Sequence, residues 1–205
     1  FGDILEKDIF ARHDVRDKIA LRKMAVFLLS NCGNQVSQRS LGRLYGLSFP
    51  AVENFLDYFS ESFLLSFIPR FSYSLKQSQL ASRKVYAVDT GLAGVVSYGF
   101  SADWGRMLEN AVFLELNRRG EEVYYYKTKS GGEVDFILRR KDKLIPVQVS
   151  WDLSMPKTAE REIKALKEAQ EELKTREGFI LTARESGKKG NEIKILPVID
   201  WLLNI

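Results

Sequence analysis

The chain has 205 residues, of which 45% are hydrophobic and 28% charged, the proportions of a globular protein with a buried core. Its 31 Lys and Arg against 27 Asp and Glu give a formal net charge of +4, too little to indicate a strongly basic nucleic-acid module. One Cys and one His exclude an internal disulfide framework, a cysteine zinc cluster and any site built on two imidazoles. Apolar runs are too short to span a bilayer and no signal peptide is present, so we expect a cytoplasmic protein with no membrane partner.

The first half shows the spacing of three helices and two strands. The predicted helices are 17–31, Ser37–Tyr45 and Ser48–Ser60, and the predicted strands are 63–68 and 84–88. Ser is a favourable N-cap, and Gly46 separates the second helix from the third. A helix, a short glycine turn and a second helix form the helix-turn-helix pattern. With two strands after it, this pattern predicts a winged helix.

The helix predicted over residues 49–60 contains no Lys or Arg, although it stands where a DNA-reading helix would be. Glu53, Asp57 and Glu61 recur every four residues and share one face. Phosphates would be repelled by that face, which favours a protein partner for helix 49–60. Readout of an adenine by Asn54 stays open as the alternative.

The second half alternates helices and strands in the order α-β-β-β-α-β-β. The predicted helices are 103–119, 157–175 and 198–203, and the predicted strands are 122–128, 133–139, 144–150, 178–182 and 193–196. The order predicts an α+β fold with a mixed sheet flanked by helices. Regular alternation in the second strand would place Val134, Phe136 and Leu138 on one side, and Asp135 with Ile137 on the other.

Three side chains of this half are candidates for chemistry. Glu109 lies on a helix, whereas Asp135 and Gln148 lie within strands among apolar neighbours. Two carboxylates and an amide oxygen are ligands suited to Mg²⁺, with Asp135 and Gln148 as the metal candidates. The alternative is that these charges are solvated on a sheet face, as most strand charges are.

Seven stretches, taken in their order and spacing, carry a resemblance to a known family. They are 7–9 (KDI), 84–92 (KVYAVDTGL), 108–116 (LENAVFLEL), 125–127 (YYK), 133–136 (EVDF), 147–150 (VQVS) and 161–166 (REIKAL). The chain resembles the C-terminal region shared by many archaeal and bacterial AAA+ superfamily ATPases. In that region a winged helix precedes a domain similar to PD-(D/E)xK nucleases, a restriction-endonuclease-like fold with the order αβββαβ.

The resemblance implies three segments and a degenerate active site. Residues 1–16 would end an upstream ATPase lid, residues 17–100 would form the winged-helix domain, and residues 101–205 the nuclease-like domain. Glu109 matches the helix Glu of the nuclease pattern and Asp135 its metal-binding Asp. Gln148 replaces an acidic residue and Ser150 replaces a Lys at the remaining catalytic positions. Loss of an anionic ligand and of a cation predicts a site with little or no nuclease activity.

The resemblance also implies the partners. An ATPase domain upstream in the same polypeptide would bind ATP, because residues 1–205 contain no phosphate-binding G-x-x-x-x-G-K-[ST] motif. DNA is the other expected partner. Its candidate phosphate contacts lie at helix and hairpin ends, and we expect them to cluster beside Asp135. They are Arg118, Arg119, Arg139, Arg140 and Lys143. The expected function is an effector region that binds nucleic acid or a partner, and the alternatives are an active Mg²⁺-dependent deoxyribonuclease and a purely protein-interaction scaffold.

Overall fold

The helices of the first hundred residues begin where a capping side chain is available. In the computed structural model, which describes residues 1–96, 103–189 and 193–203, Asp17, Ser37 and Ser48 each accept a hydrogen bond from the backbone N–H three residues ahead. The helices that follow these caps are α1 (Lys18–Leu29), α2 (Gln38–Tyr45) and α3 (Phe49–Glu61). All three predicted helices are confirmed to within two residues. A π-helical segment, Ile4–Phe10, precedes them and was not predicted.

Three short strands complete this part of the chain: β1 (Gln35–Val36), β2 (Leu65–Ile68) and β3 (Arg83–Ala87). They pair antiparallel in the order β1-β3-β2. The helices pack on this sheet around a core that includes Leu21, Leu28, Leu56, Phe59 and Val85. Helix α5 (Thr90–Val96) follows, and the Asp89 carboxylate accepts two backbone N–H groups at its start, as expected of a cap.

The chain forms two units, and the loop between β2 and β3 belongs to the second. The first unit comprises Phe1–Ile68 with Ala81–Asp103, and the second comprises Pro69–Leu80 with Trp104–Ile205. The boundary predicted between residues 100 and 101 lies outside the described residues. We call Pro69–Leu80 the tether segment. It contains the short helix α4 (Leu75–Leu80), which was not predicted.

The second unit contains a six-stranded mixed sheet with helices packed on it. Its elements are α6 (Trp104–Arg118), β4 (Glu122–Lys127), β5 (Glu133–Arg140), β6 (Lys143–Ser150), α7 (Pro156–Leu173), β7 (Gly178–Thr182), β8 (Gly187–Lys189), β9 (Ile193–Pro197) and α8 (Val198–Leu203). The strand order is β4-β5-β6-β7-β9-β8, parallel from β6 through β7 to β9 and antiparallel elsewhere. The predicted α+β class is confirmed; β8 is the strand of this sheet that was not predicted.

The tether segment forms an isolated parallel β-bridge with β4, the edge strand of this sheet. The N–H of Phe71 donates to the carbonyl of Tyr125 at 2.7 Å, and the N–H of Tyr125 donates to the carbonyl of Pro69 at 3.1 Å. Arg70 pairs parallel with Tyr125, and its guanidinium donates to the carbonyl of Lys127. Backbone groups on the outer edge of β4 are therefore satisfied by a segment that comes from between two strands of the first unit.

A bulge in β5 breaks the expected alternation of its side chains. Tyr124 pairs with Ile137 and Tyr126 with Val134, so two steps along β4 match three steps along β5. The extra residue turns Val134 and Ile137 to the same apolar cluster beneath α7. The prediction that these two side chains lie on opposite faces is therefore wrong. Within the described residues, no helix is long and apolar enough to cross a bilayer.

Candidate functional site

The bulge in β5 brings the predicted metal candidates together. It leaves the N–H of Asp135 outside the ladder to β6, which begins one residue later at Phe136. That N–H donates to Oε1 of Gln148 at 3.2 Å, and Oδ2 of Asp135 accepts from the N–H of Val149 at 2.9 Å. Asp135 and Gln148 are only 7% and 5% exposed. The two side chains thus complete hydrogen bonding that the bulge would otherwise leave open in the interior.

Two residues of α7 extend this pair into a network. Nε2 of Gln148 donates to Oε2 of Glu162, a carboxylate that is also buried. Nε of Arg161 donates to Oε1 of Glu162 at 3.1 Å. The hydrogen bonds that Arg161 donates to Glu162, together with the charge of that carboxylate, raise the pKa of Arg161, and the charge of Asp135 adds to the effect. We call Asp135, Gln148, Arg161 and Glu162 the Asp135–Glu162 network.

The network requires an amide at position 148. The Gln148 side chain faces an N–H donor on one side, which needs an oxygen, and a carboxylate on the other, which needs a donor. Glutamate at this position would satisfy the N–H of Asp135 but would place a second carboxylate against Glu162. A buried pair of like charges is costly, so the departure from the nuclease pattern at Gln148 matches the chemistry of its surroundings.

The remaining nuclease-pattern positions are Ser150 and Glu109. Ser150 is buried at the end of β6, and its hydroxyl donates to the carbonyl of Asp152 at 3.2 Å. Glu109 is half-buried on α6, the helix that packs on β6 and β4. Convergence of Glu109 with Asp135 stays a prediction, as do the catalytic roles of all four residues.

The donor set of the network does not fit Mg²⁺. Among the described residues there is no group of three or more His, Cys, Asp or Glu side chains arranged to hold a metal ion. Oε1 of Gln148 already accepts an N–H, and Glu162 already pairs with a guanidinium. A divalent cation would have to compete with that guanidinium for the same carboxylate, in a centre where Mg²⁺ favours several anionic oxygens and water.

The candidate phosphate contacts at the end of α6 are held by an acidic side chain. Nε of Arg118 and Nε of Arg119 donate to the Glu115 carboxylate at 2.7 and 2.6 Å. These hydrogen bonds lower the pKa of Glu115 to about 2. Arg119 also places its guanidinium 4.4 Å from the ring centroid of Trp201. Both arginines are therefore engaged within the second unit.

The other candidate phosphate contacts lie on the hairpin between β5 and β6. Arg139 pairs with Leu144 and Arg140 with Lys143, whereas Asp135 lies at the opposite end of β5. Four residues of extended strand span about 13 Å. The expectation that these cations gather beside Asp135 is therefore corrected: the hairpin carries them away from it. Arg140 is held by Glu121, and Nη1 of Arg139 lies 3.5 Å from a carboxylate oxygen of the exposed Glu122.

Sequence reasoning did not identify Arg161 and Glu162 as site residues. A usable signal was nevertheless present, because Glu162 shares a helix face with Ala165, Leu166 and Ala169, all of which are buried. An acidic residue in the apolar stripe of an amphipathic helix indicates a buried partner, since an unpaired buried carboxylate is expensive.

Comparisons with known proteins place the chain among families described only by number. A family model described as a domain of unknown function, DUF8612, matches residues 1–103, and a second, also described as a domain of unknown function, DUF4143, matches residues 104–201. The second domain is typically found in proteins associated with AAA ATPases.

The chain is similar to two curated proteins, both uncharacterized. It is 32% identical over 218 residues to one from Methanocaldococcus jannaschii, covering 98% of this chain and 48% of that protein. It is 26% identical over 208 residues to one from Haemophilus influenzae, covering 99% of this chain and 50% of that protein. The chain therefore spans about half the length of these relatives.

A solved structure is similar at a low level. It is the refined half-complex from a tetradecameric assembly of Thermococcus gammatolerans McrB AAA+ hexamers with bound McrC. The TM-score is 0.33 at 11% identity, and the alignment covers 87% of this chain and 46% of that one.

Proposed function

We propose that this chain, which belongs to the DUF8612 family, is a nucleic-acid-binding region of a longer AAA+ ATPase protein, built around a nuclease-like core without nuclease chemistry. The observation that carries the proposal is the Asp135–Glu162 network, whose polar groups form hydrogen bonds with one another. The DUF4143 match supports the link to ATPases. ATP is proposed to bind only in an upstream domain of the same polypeptide.

The order of the elements supports both proposed domains. In the second unit, α6, β4, β5, β6, α7 and β7 follow one another in the αβββαβ order expected of a PD-(D/E)xK-like domain. In the first unit, α2 and α3 are joined by a short turn and followed by the antiparallel pair β2 and β3, the order expected of a winged helix.

Absence of nuclease chemistry is inferred from electrostatics. Attack on a phosphodiester adds negative charge to the phosphoryl oxygens, and an active site must stabilise that charge with metal ions or cations. In the network the Arg161 guanidinium is held by Glu162, and the Ser150 hydroxyl donates to a neighbouring carbonyl. These groups are committed to holding the fold together, and we infer that the chain does not cut.

A cleavage assay tests this part of the proposal. The protein is incubated with supercoiled and single-stranded DNA in Mg²⁺ and in Mn²⁺, beside an Asp135→Ala control. We expect no cutting above the control with either metal. Robust cutting that Asp135→Ala abolishes would contradict the proposal and favour the metal-dependent deoxyribonuclease. Cutting that appears only in a Gln148→Glu, Ser150→Lys double variant would support descent from a nuclease that has lost its activity.

Nucleic-acid binding is proposed to use the β5–β6 hairpin more than the end of α6. Arg118 and Arg119 share one half-buried carboxylate partner, Glu115, whereas Arg139 and Lys143 are exposed. Contacts to phosphates make affinity fall steeply with salt. Charge reversal at Arg139 and Lys143 should therefore weaken DNA binding, and an unchanged affinity would exclude the hairpin.

A protein partner at α3 is the second candidate function. Glu53, Asp57 and Glu61 are all exposed on this helix, which presents an acidic surface that suits a basic protein better than DNA. The Glu53→Lys, Asp57→Lys variant tests the choice. Stronger DNA binding by this variant would place α3 beside phosphates, whereas unchanged DNA binding is expected if the helix serves a protein partner.

A further inference from the structure

A cleft of about 650 Å³ opens beside the β5–β6 hairpin, at the opposite end of β5 from the Asp135–Glu162 network. Three parts of the second unit line it: the hairpin, the turn that follows α7, and the start of the tether segment. This volume falls within the range of small-ligand sites, and it corresponds to one or two nucleotides rather than to a duplex. We call it the hairpin cleft.

The rim of the hairpin cleft is strongly basic. Two acidic residues, Asp142 and Glu177, accompany five cationic residues of the lining, so the balance is positive although the whole chain is close to neutral. The cationic residues are Arg139, Lys141, Lys143, Lys174 and Arg176. All five are exposed. Several cations converging from separate elements suit a ligand with more than one phosphate.

Backbone geometry brings two of these lysines to the rim. Lys141 in the hairpin turn and Lys174 at the end of α7 both have φ of 54°, in the left-handed region that favours Gly or Asn. A Lys in this conformation is strained relative to glycine, because its Cβ approaches the backbone. The chain nevertheless places a cation at each of these two turns, and both cations line the cleft.

An aromatic ring stands beside the cations. Tyr73 is 79% exposed, and its ring meets that of the buried Phe71 edge to face, with centroids 5.3 Å apart. Phe71 is itself fixed by the hydrogen bond to the edge of β4. Leu173 and Ile145 are buried in the lining and add apolar surface. Tyr73 is thus an exposed ring on a rigid support, which suits stacking of an unpaired base.

We propose that the hairpin cleft binds single-stranded nucleic acid. The cations contact successive phosphates, and Tyr73 stacks on an unpaired base. Duplex DNA offers phosphates but no accessible base face, and a nucleoside monophosphate offers only one phosphate group to five cations. This inference rests on the proposed nucleic-acid-binding function and narrows it to a place and a substrate class.

Fluorescence anisotropy on the full chain tests the proposal. The probes are a labelled oligo(dT) 12-mer, a duplex of the same length and a free thymidine nucleotide. The cleft variant is Lys174→Glu with Arg176→Glu. Its matched control is Lys157→Glu with Lys167→Glu, two exposed lysines of α7 outside the cleft lining. The cleft variant should bind the 12-mer at least tenfold more weakly, and the control less than twofold. Since each phosphate contact to a single strand adds about 0.7 to the salt slope, the slope should fall by about 1.4 in the cleft variant.

Tyr73→Ala tests the stacking step. We expect about a tenfold loss of affinity for the 12-mer with an unchanged salt slope, and Tyr73→Phe should restore the binding. Circular dichroism of every variant verifies that the fold is kept.

The outcomes distinguish a failure of the cleft proposal from a failure of the proposed nucleic-acid-binding function. Equal losses in the cleft variant and its control would overturn the cleft but leave nucleic-acid binding in place. Tighter binding of the duplex, or binding of the free nucleotide alone, would overturn the single-strand assignment. No binding of any nucleic acid would overturn the proposed function itself.

Discussion

Replacing Glu162 by Ala removes the acceptor at the centre of the Asp135–Glu162 network. Nε2 of Gln148 would lose its buried partner, which costs about 1–3 kcal/mol. One buried methylene is also lost, at about 0.8 kcal/mol. The side chain of Arg161 is 74% exposed and returns to water with little penalty. Removal of a buried carboxylate offsets part of the sum, so we expect the free energy of unfolding to fall by about 1–3 kcal/mol.

Tryptophan fluorescence during urea unfolding measures this loss in the second unit alone. All three tryptophans of the chain, Trp104, Trp151 and Trp201, belong to that unit. Glu160→Ala is the matched control, because Glu160 is an exposed residue of the same helix. Its effect should stay within about 0.5 kcal/mol. Equal effects of the two substitutions, or a gain in stability from Glu162→Ala, would refute the view that the network stabilises the fold.

Three further changes test other parts of the structure. Glu115→Gln should lower stability at neutral pH. The pKa of Glu115 is lowered from 4.5 to about 2, so its stabilising contribution is complete above pH 4.5. In acid unfolding curves, the difference in stability between the two proteins should vanish as the pH falls from 4.5 to 2. Asp17→Ala should cost about 1 kcal/mol in thermal melts followed by circular dichroism, because α1 loses its cap, whereas the exposed neighbour Asp14→Ala should cost little. Gly178→Ala should cost about 1–2 kcal/mol in urea unfolding, because the new Cβ would lie 3.1 Å from Nε2 of the buried Gln170; an unchanged midpoint would show that this side chain moves aside freely.

Elements whose signals are local could be predicted from the sequence. Caps at Ser37 and Ser48 located α2 and α3, and Pro197 located the start of α8, because each signal acts within one helical turn. The strand Gly178–Thr182 was predicted to the residue, since it is an apolar run between polar neighbours.

Features that depend on pairing between distant residues could not be predicted. The local sequence around Asp135 does not indicate that β5 has one more residue than β4 at this point. This bulge nevertheless leaves the N–H of Asp135 outside the ladder, where it donates to Gln148. The α7 partner Glu162 enters the site only because the helix packs on β5 and β6. The hairpin cations were identified from the sequence, but they were wrongly expected beside Asp135. A strand pattern indicates which face of the sheet a side chain is on, and it does not indicate which other residues lie at the same end of the sheet.

The tether segment has a consequence for how these two domains are inherited. The two family models divide the chain between residues 103 and 104, but Pro69–Leu80 lies in the first model and folds with the second unit. A chain cut at residue 104 would expose the edge of β4 around Tyr125, which invites pairing with other molecules. Recombination at that boundary would place a segment from another protein beside the edge of β4. Selection should therefore keep the two halves together and make changes in Phe71 depend on changes in Tyr124 and Tyr126, whose rings it contacts.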